Sequence, residues 1–128
     1  MHVANLSGFF GIGEGRTYQI GHFKLTFKSV PGAVQGDYSV CESSSSPPVS
    51  GLGLHRHAFD EWHVVMEGRY ECQVGEAVRT LAPGEMMFAP GGTPHRLTNL
   101  GPGLGRMLVI TSPAGVLEAF IAESEIAA

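Results

Sequence analysis

Apolar and polar positions alternate along this chain in short bursts rather than long stretches. HFKLTFK (22–28) sets Phe23, Leu25 and Phe27 on one face, and RTYQI (16–20) shows the same two-residue period. GDYSVCE (36–42) reads as another strand. WHVVME (62–67) and RYECQV (69–74) flank Glu67-Gly68 and read as a hairpin, with Tyr70, Cys72 and Val74 sharing a face. AVRTLA (77–82), MMFA (86–89), HRLTN (95–99) and RMLVIT (106–111) continue the series, parted by PGE, PGGTP and GPGLG. Short strands at even spacing with such turns predict an all-β sandwich or closed barrel. One helix is expected, over 113–125. Ser112 suits its cap, Pro113 its first position, and Val116, Leu117, Phe120 and Ile121 form an apolar stripe to pack on the sheet. The serine-rich SSSSPPVSG (43–51) reads as a solvated loop, and residues 1–15 as an irregular arm.

Composition narrows the function classes. The chain has 128 residues, the length of one domain, and its 18 glycines and 8 prolines are spread along it rather than gathered in a linker. A net charge of −4 without a Lys/Arg cluster gives no footprint for nucleic acid. No run approaches the roughly 20 apolar residues of a membrane helix. Cys41 and Cys72 are too few for a disulfide framework and read as reduced thiols. A cytoplasmic protein is the expectation.

Candidate chemistry begins at HRHAFDEW (55–62). On an extended chain His55 and His57 project to one side and Arg56 to the other, while Glu61, His63 and Val65 share a face of the next strand. HRHAFDEWHVVMEG has the form H-x-H-x3-E-x6-G, and GEMMFAPGGTPHRLTN (84–99) the form G-x5-P-x-G-x2-H-x3-N. In order and separation these resemble the two motifs of the cupin superfamily. The leading glycine of the first motif is absent: Val49 stands there, with Gly51 and Gly53 nearby.

The resemblance implies a cupin-type jelly-roll β-barrel (a double-stranded β-helix) over residues 1–128 with a short C-terminal α-helix. It also implies one divalent transition metal (Fe, Mn, Ni, Co, Cu or Zn) held by His55, His57, Glu61 and His95. Three imidazoles and one carboxylate suit such borderline ions, and four ligands on an octahedral ion leave positions for substrate. Pro90, Gly91 and Gly92 read as turn formers, and Asn99 as a turn-fixing hydrogen bonder. Tyr70, Cys72, Met86, Met87 and Phe88 read as core or pocket wall, and Arg56 and Arg106 as surface charges. His63 is open between a partner or acid/base beside the metal and a satisfied core histidine.

The single-domain form, the opening GEGRTYQIGHFKLTFK and the ending LVITSPAGVLEAF are most similar to small cupins of the quercetin 2,3-dioxygenase-like group. That likeness implies a dioxygenase acting on an enolic or aromatic small molecule of flavonol or polyketide type, with Glu61 and His63 as catalytic candidates. The same ligand set serves redox-neutral decarboxylases, isomerases, lyases or cyclases, and also cupins that only bind a small molecule. A homodimer is the family expectation.

Overall fold

A computed structural model describes residues 8–20, 22–47 and 53–127, with the side chains of 124–127 outside the description. Nine strands and a helix follow in order: β1 (Arg16–Ile20), β2 (Phe23–Phe27), β3 (Ser39–Ser45), β4 (Asp60–Glu67), β5 (Tyr70–Val74), β6 (Ala77–Leu81), β7 (Met86–Ala89), β8 (His95–Asn99), β9 (Gly105–Ser112) and α1 (Val116–Ala127). They form two antiparallel sheets, ordered β1-β2-β3-β9-β4-β7 and β6-β5-β8. This is the expected jelly roll with its terminal helix.

The two-residue period explains the layering. Leu25 and Phe27 on β2, Cys41 on β3, Val65 on β4 and Met107 and Val109 on β9 turn into one core with Tyr70, Cys72 and Leu81 of the smaller sheet. On that sheet's solvent face Arg96 pairs with Glu71 at 2.8 Å and bonds Gln73 at 2.9 Å. The outer face of β4 is different: Trp62 and Met66 are exposed, and Trp62 stacks on Phe88 of β7 at 4.3 Å.

Three expectations need correction. The segments 62–67 and 69–74 are not a hairpin: β4 pairs with β7 and β9, β5 with β6 and β8, and Gly68 (φ 89°) turns the chain from one sheet to the other. A turn signal marks a reversal but not which strand will be met. Secondly, the serines are not a solvated loop. Ser43 and Ser45 are buried in β3, and Ser45 Oγ shares a 2.9 Å hydrogen bond with the Tyr70 hydroxyl. Alternation continues through Ser39, Cys41, Ser43 and Ser45, and small side chains fit beneath Leu25 and Met107 in the pairing register. Thirdly, the helix starts at Val116 rather than at Pro113, and Ser112 does not cap it. Its hydroxyl donates to the Asp37 carbonyl at 2.7 Å; Ala114 N donates to Asp37 Oδ1 at 2.9 Å and Gly115 N to Ser39 Oγ at 3.0 Å, so residues far back in the chain satisfy the helix start. The stripe of α1 does pack inward, with Leu117 and Ile121 buried.

The described part of the arm, 8–15, is irregular and held on the outer face of the larger sheet. Lys28 Nζ donates to the Gly11 carbonyl at 2.7 Å and to that of Glu14 at 2.6 Å.

Candidate metal centre

The four candidate ligands arrive from three pieces of backbone. His55 and His57 lie on the loop before β4, where His55 forms an isolated bridge with His95: the His55 N–H donates to the His95 carbonyl at 3.1 Å, and the His55 carbonyl accepts from His95 N at 2.8 Å. Glu61 is the second residue of β4, and His95 opens β8. The loop is seated by a close approach. Gly91 N donates to Asp60 Oδ1 at 2.7 Å and Gly92 N to the His57 carbonyl at 2.7 Å. A Cβ on Gly91 would run into the Ala58 carbonyl oxygen, so glycine there does more than turn the chain. Gly92, at φ 86°, is the turn former proper. Asn99 fixes a turn as expected, accepting from Gly101 N at 2.8 Å and donating to the Ser45 carbonyl at 2.9 Å.

The structure brings His55, His57, Glu61 and His95 together, with one donor atom from each lying within 4.8 Å of all the others. The rings are anchored alike. Nδ1 meets a backbone carbonyl two residues away in each: Gly53 at 2.8 Å for His55, Phe59 at 3.3 Å for His57 and Thr93 at 2.9 Å for His95. A carbonyl oxygen only accepts, so Nδ1 carries the hydrogen and Nε2 presents a lone pair. The His57 ring also lies flat on Phe59, centroids 3.7 Å apart, and edge-on to Phe120 at 5.6 Å.

That anchoring tests the fit of a cation. Nε2 of His57 and of His95 stand 2.8 Å and 2.7 Å from the same atom, Glu61 Oε2. With Nδ1 already holding the hydrogen, acceptors face acceptors at those distances unless a proton or a metal lies among them. Neutral imidazoles with one carboxylate are donors for a borderline divalent ion. The residues fit one.

With protons in place of a cation, the imidazoles hydrogen-bond the carboxylate, and the titration of the cluster follows from those contacts. Burial works to raise the Glu61 pKa, but the imidazoles of His57, His63 and His95 around its oxygens outweigh burial and hold it well below the usual carboxylate range. Burial also lowers His55. For His95 burial pulls down, yet the Glu61 contact and the Thr93 carbonyl prevail and raise it.

The cluster opens on a pocket that reaches solvent. Its remaining walls are nearly all apolar: Phe23 and Leu25 of β2, Leu97 of β8, Val109 of β9, and Leu117, Phe120 and Ile121 of α1. The helix thus closes the pocket, a role its apolar stripe could not announce. His63 also lines it, 4 % exposed, with Nε2 3.5 Å from Glu61 Oε1. Of the other residues read as core or wall, Tyr70, Cys72 and Met87 are buried, whereas Met86 and Phe88 face outward on β7 and are exposed. Arg56 is exposed, and Arg106 is half-buried with Nε donating to Glu67 at 3.2 Å. Val49 and Gly51 lie outside the described residues; Gly53 takes φ 70° beside His55. Among the described residues no helix is long and apolar enough to cross a membrane.

Comparison with known proteins adds to this geometry. The profile of the family described as Cupin domain matches residues 45–111, more than half of the chain. No curated protein matches the sequence significantly. An RmlC-like cupin from Shewanella frigidimarina is 20% identical, with 88% of this chain and 96% of that one covered and a TM-score of 0.72. KdgF from Halomonas sp. is 21% identical, with 83% and 94% covered and a TM-score of 0.70. A structure of DMSP lyases is 26% identical, with 73% of this chain and 49% of that one covered and a TM-score of 0.63.

Proposed function

The chain belongs to the cupin family, and on that footing we propose that it is a metal-dependent dioxygenase of quercetinase type. Its substrate is a compact, mainly apolar molecule carrying an enolic or phenolic oxygen. The observation that carries this reading is the carbonyl-anchored His55, His57 and His95 with Glu61, opening on a cavity walled by Phe23, Leu25, Leu97 and Val109. When bound, the metal supplies Lewis acidity toward the substrate oxygen and, if redox-active, a route for electrons to dioxygen. The chain's residues do the rest. His55, His57, His95 and Glu61 would hold the ion, and the Glu61 carboxylate would also stand beside the substrate hydroxyl to take its proton. Apolar walls exclude water, seat a flat body and admit dioxygen, itself apolar. Likeness of the chain's opening and ending to the quercetin 2,3-dioxygenase-like group supports the same choice.

A redox-neutral reaction is the second reading. The DMSP lyase likeness favours it, at 26% identity over 73% of this chain, and a Lewis acid stabilises any enolate. Metal analysis followed by oxygen-electrode assays with flavonols, catechols and β-diketones separates the two. Dioxygen consumed in step with substrate supports the dioxygenase. Equal turnover with and without air supports the redox-neutral enzyme, and firmly held zinc argues against the oxygenase. We also propose a homodimer, tested by light scattering for a mass near twice 13.6 kDa.

A further inference from the structure

His63 is a polar group of the pocket that is neither one of the four candidate ligands nor tied to the backbone. It sits on the inner face of β4, two residues beyond Glu61, in register with Val109 of β9 and Met87 of β7. The residue is buried, yet among the described residues neither Nδ1 nor Nε2 has a hydrogen-bond partner. Its Nε2 stands 3.5 Å from Glu61 Oε1, beyond the usual hydrogen-bond range. The three other imidazoles of the pocket are tied to backbone carbonyls through Nδ1. His63 has no such tether.

A buried donor or acceptor without a partner costs about 1–3 kcal/mol. An apolar side chain would fill the same place beside Val109 and Met87 without that cost. Because His63 lines the cavity, the missing partner can come from the molecule that fills it. The cavity offers one polar corner, made of Glu61 and the three anchored imidazoles, and His63 widens that corner along β4. A ligand satisfying both carries two neighbouring oxygens on an otherwise apolar body. That is the chemistry of hydroxy-ketones and enolised diketones.

We propose that His63 is the substrate-anchoring residue of this pocket, hydrogen-bonding one oxygen of a hydroxy-keto compound whose neighbouring oxygen meets the four-ligand cluster. The inference rests on the reading of that cluster as a metal centre, and it adds a residue that selects the substrate rather than holding the ion.

Zinc-loaded wild type, His63→Phe and His63→Gln are compared, with zinc content read by elemental analysis and ligand binding by calorimetry. The probes are tropolone, with adjacent hydroxyl and carbonyl, and tropone, which keeps only the carbonyl. All three proteins should hold the same zinc. His63→Phe should weaken tropolone by roughly tenfold, the contribution of about one buried hydrogen bond. His63→Gln should restore most of it, and tropone should change less than about threefold on the same scale. Tropolone affinity equal in wild type and His63→Phe overturns the proposal with the metal reading intact, and so does a wild type that binds no tropolone. A wild type that takes up no zinc overturns the metal reading, and the same comparison of variants on the metal-free chain still decides His63.

Discussion

Strands β3 and β4 flank β9 in one sheet, and both turn polar side chains toward the core. On β3 the fold meets their needs. Ser45 shares its hydrogen bond with Tyr70, and Ser39 accepts from Gly115 N at 3.0 Å while its hydroxyl donates to Glu118 Oε2 at 3.3 Å. On β4 it does not. Glu61 is ringed by imidazole lone pairs, and His63 has no hydrogen-bond partner among the described residues. Buried polarity that the chain satisfies by itself is architecture; buried polarity left open marks where something else binds.

The largest effect expected on this contrast comes from the ligands. His57→Ala or His95→Ala should abolish stoichiometric metal uptake, read by elemental analysis, while the metal-free variants melt within a few degrees of metal-free wild type. Stoichiometric metal in both would refute the assignment. Next comes Gly91→Ala, whose Cβ displaces the Ala58 backbone and with it the loop carrying His57. A stability loss of about 1–3 kcal/mol in urea should accompany metal affinity weakened roughly 10–100-fold in chelator competition. Ser45→Ala works on the other strand. Leaving the Tyr70 hydroxyl unpartnered should cost about 1–3 kcal/mol with metal uptake unchanged, and adding Tyr70→Phe should recover part of the loss. The smallest effect concerns the thiols. Burial pushes Cys72 up to about 12 and Cys41 higher still, so at pH 8, below both values, each stays protonated. Neither should react with a disulfide reagent until the protein is unfolded.

What the sequence made legible follows from these same strands. Strand periodicity sets Glu61, His63 and Val65 on one face of β4, and their burial against the exposed Trp62 and Met66 follows it. The serines of β3 obey the same period, but hydropathy gives a buried serine no mark that a solvated one lacks. Pairing is likewise silent in a local pattern: Gly68 and Gly75 both turn the chain with positive φ, yet only the second joins paired strands, β5 and β6. The helix start escaped for a related reason, since its partners Asp37 and Ser39 stand more than seventy positions upstream. The role of α1 as pocket wall depends on where the helix docks, which its apolar stripe does not encode.

Glu61 belongs to the six-stranded layer and His95 to the three-stranded one. Any ion gripped by both would therefore rivet the two halves of the sandwich. Heat resistance should then climb with the logarithm of free metal, as for any ligand that prefers the native state, and a culture starved of the ion would make a softer protein from the same gene.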